Sequence, residues 1–419
     1  MVYKLQHDLQ LFHEIKNMNV LIVSQHFHPE NFRINDFAEA LVERGHQVTV
    51  LTGIPNYPEG KFFQGYGLFS RTNEVWNNIR IIRSPIVSRG PASKLRLAIN
   101  YASFVLGASL AGLFRAGRSF DVIFVHETSP VTVGIPAILM KKLTGAPILF
   151  WVLDLWPEYA SDAGGIKSKK ALVWIAKLTR WIYSHCDLVL VQSKGFIDSV
   201  RRMGVADGHI RYFPSWAESV YSSREIQQPP SMPDGFKVMF AGNVGECQDF
   251  PSILAAADKT RHRRDIHWVI VGDGRMLPWV RAEVAKRNLG DTVHLMGRHP
   301  VESMPAFYAQ ADVMLVTLKA EGVFALTIPG KVQSYLACGK PVVAMLDGEG
   351  AKVIEEAGAG FSCPASDALT LASIVERAAS MDRSELQGLG DQGKKYYESE
   401  FERGVAISRA EAMFAEVAR

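Results

Sequence analysis

Three apolar segments that empty into glycine turns or lead to a helix start constrain this chain more than anything else in it. They are Val238-Met-Phe-Ala-Gly-Asn-Val-Gly245, Val269-Ile-Val-Gly-Asp-Gly274 and Ile328-Pro-Gly-Lys331. Strand ends and helix N-termini of this kind offer backbone N–H groups to anions, phosphates above all. Three of them in one half of the chain point to a nucleotide held by its diphosphate.

The rest of the sequence supplies the frame for such turns. In the first half, short apolar strands (Asn19–Ser24, Gln47–Leu51, Asp121–Val125, Pro147–Val152, Asp187–Gln192) alternate with helical patterns such as Ile34–Arg44. A second alternating series runs through Lys237–Ala241, Ile266–Val271, Thr292–Leu295, Asp312–Thr317 and Pro341–Met345. Strand–helix alternation gives parallel, doubly wound sheets. Two such series predict an α/β protein of two Rossmann-like domains with parallel sheets facing across a cleft. A chain of 419 residues is too long for one ordinary core, which agrees. The expected division is an N-terminal extension over 1–17, a first domain over 18–213 and a linker over 214–233 around Gln227-Gln-Pro-Pro-Ser-Met-Pro233. A second domain follows over 234–395, and a C-terminal helix over 396–419 returns to the first.

Composition excludes several classes. A net charge of +3, with no nucleic-acid motif, argues against RNA or DNA as a partner. The four cysteines (Cys186, Cys247, Cys338, Cys363) are widely spaced, against structural zinc and a disulfide framework, and they fit a reducing cytoplasm. The apolar stretch from Leu97 to Phe114 is interrupted by Asn100, Ser103 and Ser109. It falls short of the ~18–20 uninterrupted apolar residues of a spanning helix and reads as interfacial or buried rather than spanning.

Five motifs in order carry a family resemblance: Gln25-His-Phe-His-Pro-Glu-Asn31, Thr52-Gly-Ile-Pro-Asn-Tyr-Pro-Glu-Gly60, Asp154-Leu-Trp-Pro-Glu158, Phe213-Pro-Ser-Trp-Ala-Glu218 and Ile328-Pro-Gly-Lys-Val-Gln-Ser-Tyr-Leu-Ala-Cys-Gly-Lys-Pro341. From about Met18 to the C-terminus the chain resembles the GT-B glycosyltransferases of family 4, and within them the transferases of bacterial O-antigen, colanic-acid and capsule assembly. The N-acetyl-L-fucosamine transferases are the most similar group. The resemblance implies transfer of an amino-deoxy sugar from a nucleoside diphosphate, UDP-N-acetyl-L-fucosamine or a similar donor, to a polyprenyl-diphosphate-linked saccharide. It also implies retention of anomeric configuration.

Such transfer builds negative charge on the departing diphosphate, which the enzyme must stabilise. No Asp-x-Asp motif occurs, so no metal and no other cofactor are expected. Lys331, in the first turn of a helix entered through Pro329 and Gly330, is the candidate cation, adding to the helix dipole. Relatives usually carry Arg and Lys in the loop after the first strand of this domain. Here Asn243 and Gln248 stand there, among Gly242 and Gly245. Of the family's paired Glu residues the first matches Glu321, facing donor-sugar hydroxyls. Ser334 stands where the second would hold the ribose. Gly272, Asp273 and Gly274 form a wall beside the nucleotide, and the stretch around Arg298 meets the base. In the first domain His126 is the candidate to hydrogen-bond the donor sugar or shuttle a proton. Asp154 is the candidate to orient the acceptor hydroxyl, with Glu30, Arg33, Glu127, Trp156 and Glu158 on the acceptor side.

Aromatic and basic residues mix in two stretches. Lys94 to Arg118 includes Tyr101, Phe104 and Phe114; Lys167 to Tyr183 includes Lys169, Lys170, Trp174, Lys177, Arg180 and Trp181. Such helices suit an anionic membrane surface, which places the protein in the cytoplasm, peripheral on the inner face of the plasma membrane. Two alternatives remain: a nucleotide-sugar 2-epimerase of the same fold, and a catalytically weak nucleotide-sugar-binding scaffold of the assembly complex. The missing Arg/Lys pair and Ser334 favour the scaffold; the Ile328–Pro341 motif disfavours the epimerase.

Overall fold

The computed structural model describes residues 17–90, 93–128, 130–162, 165–222, 231–320 and 322–418. The extension up to residue 16, the linker stretch 223–230, Glu321 and the Lys94 side chain lie outside this description. The chain divides into two compact units. One holds the residues up to Gln192, Ile197–Phe213 and the chain from Ile407 onward; the other holds Ser193–Phe196 and Pro214–Ala406.

The first unit is an eight-stranded sheet: β1 (Asn19–Ser24), β2 (Gln47–Gly53), β3 (Asn73–Trp76), β4 (Ile79–Ser84), β5 (Val122–Glu127), β6 (Ile148–Val152), β7 (Leu188–Val191) and β8 (Ile210–Tyr212). Their order is β3-β4-β2-β1-β5-β6-β7-β8. All pairs are parallel except β3 with β4. Strands such as Val20–Val23 and Ile148–Val152 are apolar throughout and buried, because helices cover both faces of a parallel sheet. The order reverses between β1 and β5, the switch point where doubly wound sheets bind ligands. Ser24 and His126 are register partners there.

The helix Lys94–Ala111 packs on β2, β4 and the helix Gly134–Thr144. It is N-capped by Ser93, whose side chain accepts from Arg96 N. Phe104 and Ala108 are buried in this layer, whereas Leu95, Ile99, Leu106, Leu110 and Phe114 are exposed. By length and composition Leu95–Ala116 is apolar enough to cross a membrane, with a mean hydropathy of 1.6. The run is interrupted by Asn100, Ser103 and Ser109. Its packing nevertheless makes it part of the α/β layer.

The second unit is a six-stranded sheet of β9 (Phe236–Ala241), β10 (Ile266–Val271), β11 (Val293–Gly297), β12 (Val313–Thr317), β13 (Val342–Met345) and β14 (Gly360–Cys363). The order is β11-β10-β9-β12-β13-β14, with every pair parallel. Alternate residues of each strand enter two cores: Met239 and Ala241 join Met314 and Tyr335, while Val238 and Phe240 join Trp268 and Phe250. Here the switch point falls between β9 and β12.

Four strands escape the sequence reading. The β3–β4 hairpin is an edge with two arginines in β4, one of them (Arg83) buried in hydrogen bonds to Gly53 O and His28 O. β8 and β14 are short, half-buried edges. β5 runs two residues further than expected, so His126 and Glu127 sit inside the strand rather than past it. The Lys- and Tyr-rich tract near the C-terminus is itself helical, Arg383–Glu400, and a new helix spans Arg403–Val417. Phe414 and Glu411 of that last helix are buried in the first unit. Glu411 accepts from Arg44 at 3.1 Å and meets His46 Nε2 at 3.2 Å, while His46 Nδ1 accepts from Met18 N.

Candidate active site

Lys331 stands at the start of the helix Gly330–Ala337, N-capped by Pro329. Its Nζ donates to Gln248 Oε1 at 2.6 Å and lies 3.8 Å from the centre of the Phe240 ring. Burial lowers its pKa to about 7, against which nearby Cys247 acts in the raising direction. The loop after β9 is pinned to the end of β12 by Thr317 Oγ1, which donates to Gln248 O, and by Lys319 N, which donates to Cys247 O. Lys331 and Gln248 are thereby assembled at the second switch point.

Beside them Gly242, Asn243, Gly272, Asp273, Gly274 and Arg298 line a cavity of about 390 Å³, closed by His299 and Met304. Its wall is laced together: Gly242 N donates to Val271 O, Val244 N to Asp273 O and Gly272 N to Gly297 O. These N–H groups brace the loops instead of facing a ligand. A Cβ on Gly272 would lie 1.9 Å from Gly242 O, and its φ is +145°, so this crossing admits only glycine. Gly245 turns back on Asn243 O, outside the lining. Arg298 is exposed at the rim, and its guanidinium has no partner among the described residues. Ser334 is buried, with its hydroxyl in a hydrogen bond to Tyr221, and does not line the cavity.

At the first switch point Ser24 Oγ donates to His26 O at 2.7 Å and lies 3.0 Å from His126 Nδ1. Because the serine proton is committed, Nδ1 must be the donor, leaving Nε2 as a bare acceptor. Burial, reinforced by His26 and Arg33, lowers the His126 pKa to about 3. The ring is therefore held as a neutral hydrogen-bond acceptor.

Two carboxylates expected on the acceptor side serve the chain's own loops. Glu127 accepts from Leu153 N, Asp154 N and Trp156 Nε1, each at 3.1 Å. Burial and then Asp154 raise its pKa well above the usual carboxylate value, against the pull of these donors. Glu30 Oε1 accepts from Asn56 N and Tyr57 N, and Oε2 lies 2.9 Å from His26 Nδ1. Asp154 and Trp156 are thus carried on a loop that Glu127 shapes. Glu158 begins a short helix and pairs with Arg202 at 3.5 Å, while Arg33 opens the helix Arg33–Glu43. Sequence reasoning missed Ser24 and Phe240, and it named Tyr101 only within the membrane-facing stretch. Burial raises the Tyr101 pKa, with Asp154 and Glu127 in the same direction and Arg89 against them. Ser24 carried one signal, a polar residue ending an apolar strand.

These two glycine-edged, doubly wound units match known sequence families. Residues 31–216 match the family described as a glycosyl transferase 4-like domain, and residues 235–380 match glycosyl transferases group 1. The chain is a glycosyltransferase of the GT-B type, with a family-4-like first domain and a group-1 second domain. The probable glycosyltransferase WbjE of Pseudomonas aeruginosa is 28% identical over 317 residues, 73% of this chain and 76% of that protein. A putative colanic acid biosynthesis glycosyl transferase of Escherichia coli K12, WcaI, is 24% identical over 347 residues, 77% of this chain and 82% of its own. Anabaena HepE, solved with UDP and glucose, superposes with a TM-score of 0.65 at 15% identity, covering 95% of this chain and all of its own.

Proposed function

We propose that this glycosyltransferase moves an amino-deoxy sugar, N-acetyl-L-fucosamine or a close analogue, from its UDP derivative to a polyprenyl-diphosphate-linked saccharide during surface-polysaccharide assembly. The observation that carries the reading is Lys331. It is a half-buried lysine at a helix N-terminus, set by Gln248 beside a glycine-walled cavity that suits a nucleotide. The kinds of protein it resembles, among them one in colanic acid biosynthesis and one solved with UDP, support the substrate classes. They favour transfer over the epimerase and scaffold alternatives.

In this reading the diphosphate takes its charge compensation from Lys331 and the helix N-terminus, without a metal, and the stretch around Arg298 meets the base. The bond from the anomeric carbon to phosphate oxygen breaks as the acceptor oxygen bonds to that carbon from the same face, which retains configuration. The acceptor proton passes to the departing phosphate oxygen. His126 holds a donor-sugar hydroxyl through its bare Nε2, and Asp154 orients the acceptor. Glu321 and Ser334 belong to the same proposal as groups for donor sugar and ribose, though Ser334 would first have to leave Tyr221. The exposed apolar stripe of Lys94–Ala111 and the Val173, Trp174 and Trp181 side chains beside Lys170 and Lys177 would rest on the cytoplasmic leaflet, where a polyprenyl acceptor is anchored.

The test is to screen nucleotide sugars for thermal stabilisation, then assay transfer to lipid extract in excess EDTA. Stabilisation by a UDP-amino-deoxy sugar and undiminished transfer are expected. No stabilisation by any nucleotide sugar would sink the donor reading, and activity lost in EDTA but restored by Mg²⁺ or Mn²⁺ would sink the metal-free one.

A further inference from the structure

Residues 54–72, between β2 and β3, form neither helix nor strand. That is longer than the roughly 12–15 residues beyond which a structureless loop is generally functional or disordered. This one is firmly braced. Glu30 holds Asn56 N and Tyr57 N, Phe63 N donates to Pro55 O, Gly60 N to Asn56 O and Gly90 N to Gly60 O. A Cβ on Gly60, whose φ is +74°, would lie 2.3 Å from Gly90 O. At its far end Arg115 donates to Thr72 O, and the guanidinium groups of Arg71 and Arg83 lie over the Tyr66 ring.

The braced loop walls a cavity of about 590 Å³, within the ~300–1,000 Å³ of small-molecule sites. Phe62 and Phe63 line it half-buried, and Glu59, Lys61 and Gln64 line it exposed, with no partner among the described residues. Aromatic rings and unpaired charged and amide groups around one rigid hollow match the two sides of a sugar, an apolar C–H face and a rim of hydroxyls. A lipid chain would leave the polar groups unmatched. The cavity adjoins the His26–Glu30 pair through His28 and Pro29, which lie between the two in the chain and line it. Both follow the strand β1 that ends in Ser24, the register partner of His126.

We infer that this hollow is a second saccharide subsite, holding sugar units of the acceptor remote from the hydroxyl that reacts. The inference rests on the proposed transfer to a saccharide acceptor, and adds the part of that acceptor which is read. Its preformed wall lets binding proceed without ordering a loop.

The test compares the whole chain with Lys61→Ala and Phe62→Ala. The acceptors are lipid-linked saccharide extracted from membranes of the native host, and the same material shortened by exoglycosidases. Lys61 is exposed and unpartnered, so its removal leaves the fold intact. For full-length acceptor both variants should raise KM roughly tenfold, the size of a lost charged hydrogen bond or ring contact. kcat, donor KM and UDP stabilisation should stay unchanged. For shortened acceptor, variants and wild type should converge. Equal acceptor KM for wild type and both variants on full-length acceptor would overturn the subsite while leaving transfer intact. Failure of wild type to transfer at all would remove the reading beneath it.

Discussion

In the proposed reading Lys331 concentrates the chemistry of the second unit in one residue. Its pKa of about 7 lies below the ordinary lysine value because burial penalises the charged form. Between that pKa and about 10.4 the unfolded chain holds a proton that the folded protein does not, so this group's contribution to stability rises with pH across that window. Donor binding has the opposite sign, because a diphosphate selects the ammonium. UDP affinity should therefore fall as pH is taken from about 7 to about 9, with proton uptake on binding. Calorimetry in two buffers of different ionisation enthalpy measures that uptake, and pH-independent binding would remove Lys331 from the phosphate. Lys331→Ala should also lower turnover far more than Gln248→Ala. A cation facing leaving-group charge contributes several kcal/mol, and a neutral amide about 0.5–1.5 kcal/mol. Lys331 was legible in the sequence because Ile-Pro-Gly-Lys writes a helix start directly. The partners of Glu30 and Glu127 were not, since the loops that claim their oxygens are set by tertiary folding.

Among the elements, most strands read from sequence are buried on both faces, where apolar runs such as Val-Leu-Ile-Val and Ile-Leu-Phe-Trp-Val leave little else to form. The half-buried edge strand β11 was read as well, and the interior strand β4, broken by two arginines, was not. Edge strands carry charge and alternate in exposure, as Asn73–Trp76 does, and so resemble loops. The helices Lys94–Ala111 and Lys169–Tyr183 show the difference between composition and placement. One face packs into the unit, and the other presents Leu106, Leu110, Phe114 and Trp174 outward. If they rest on a bilayer, the protein should bind anionic vesicles and be released in part by salt, since charge is screened over about 8 Å at physiological ionic strength. Replacing Lys169, Lys170, Lys177 and Arg180 by Gln should weaken sedimentation with vesicles and spare transfer to a water-soluble acceptor. Wild type that ignores vesicles at low salt would dismiss the arrangement.

Across the whole molecule, chain order and folding unit diverge at the last helix. Glu411, buried, answers both His46 and Arg44. Glu411→Ala should destabilise the protein by roughly 1–3 kcal/mol, the cost of stranding buried polar partners. Glu411→Gln should recover part of that loss in urea titration; an unaltered midpoint for the alanine variant would mean that the tie adds nothing. The same feature bears on how such proteins can be recombined. A first domain taken from one relative cannot be grafted by a single crossover near Phe213, because a piece of its interior is encoded some two hundred residues later. A working chimera must exchange both ends of the gene and keep the middle, so whatever preference the first unit carries would be inherited through the termini together.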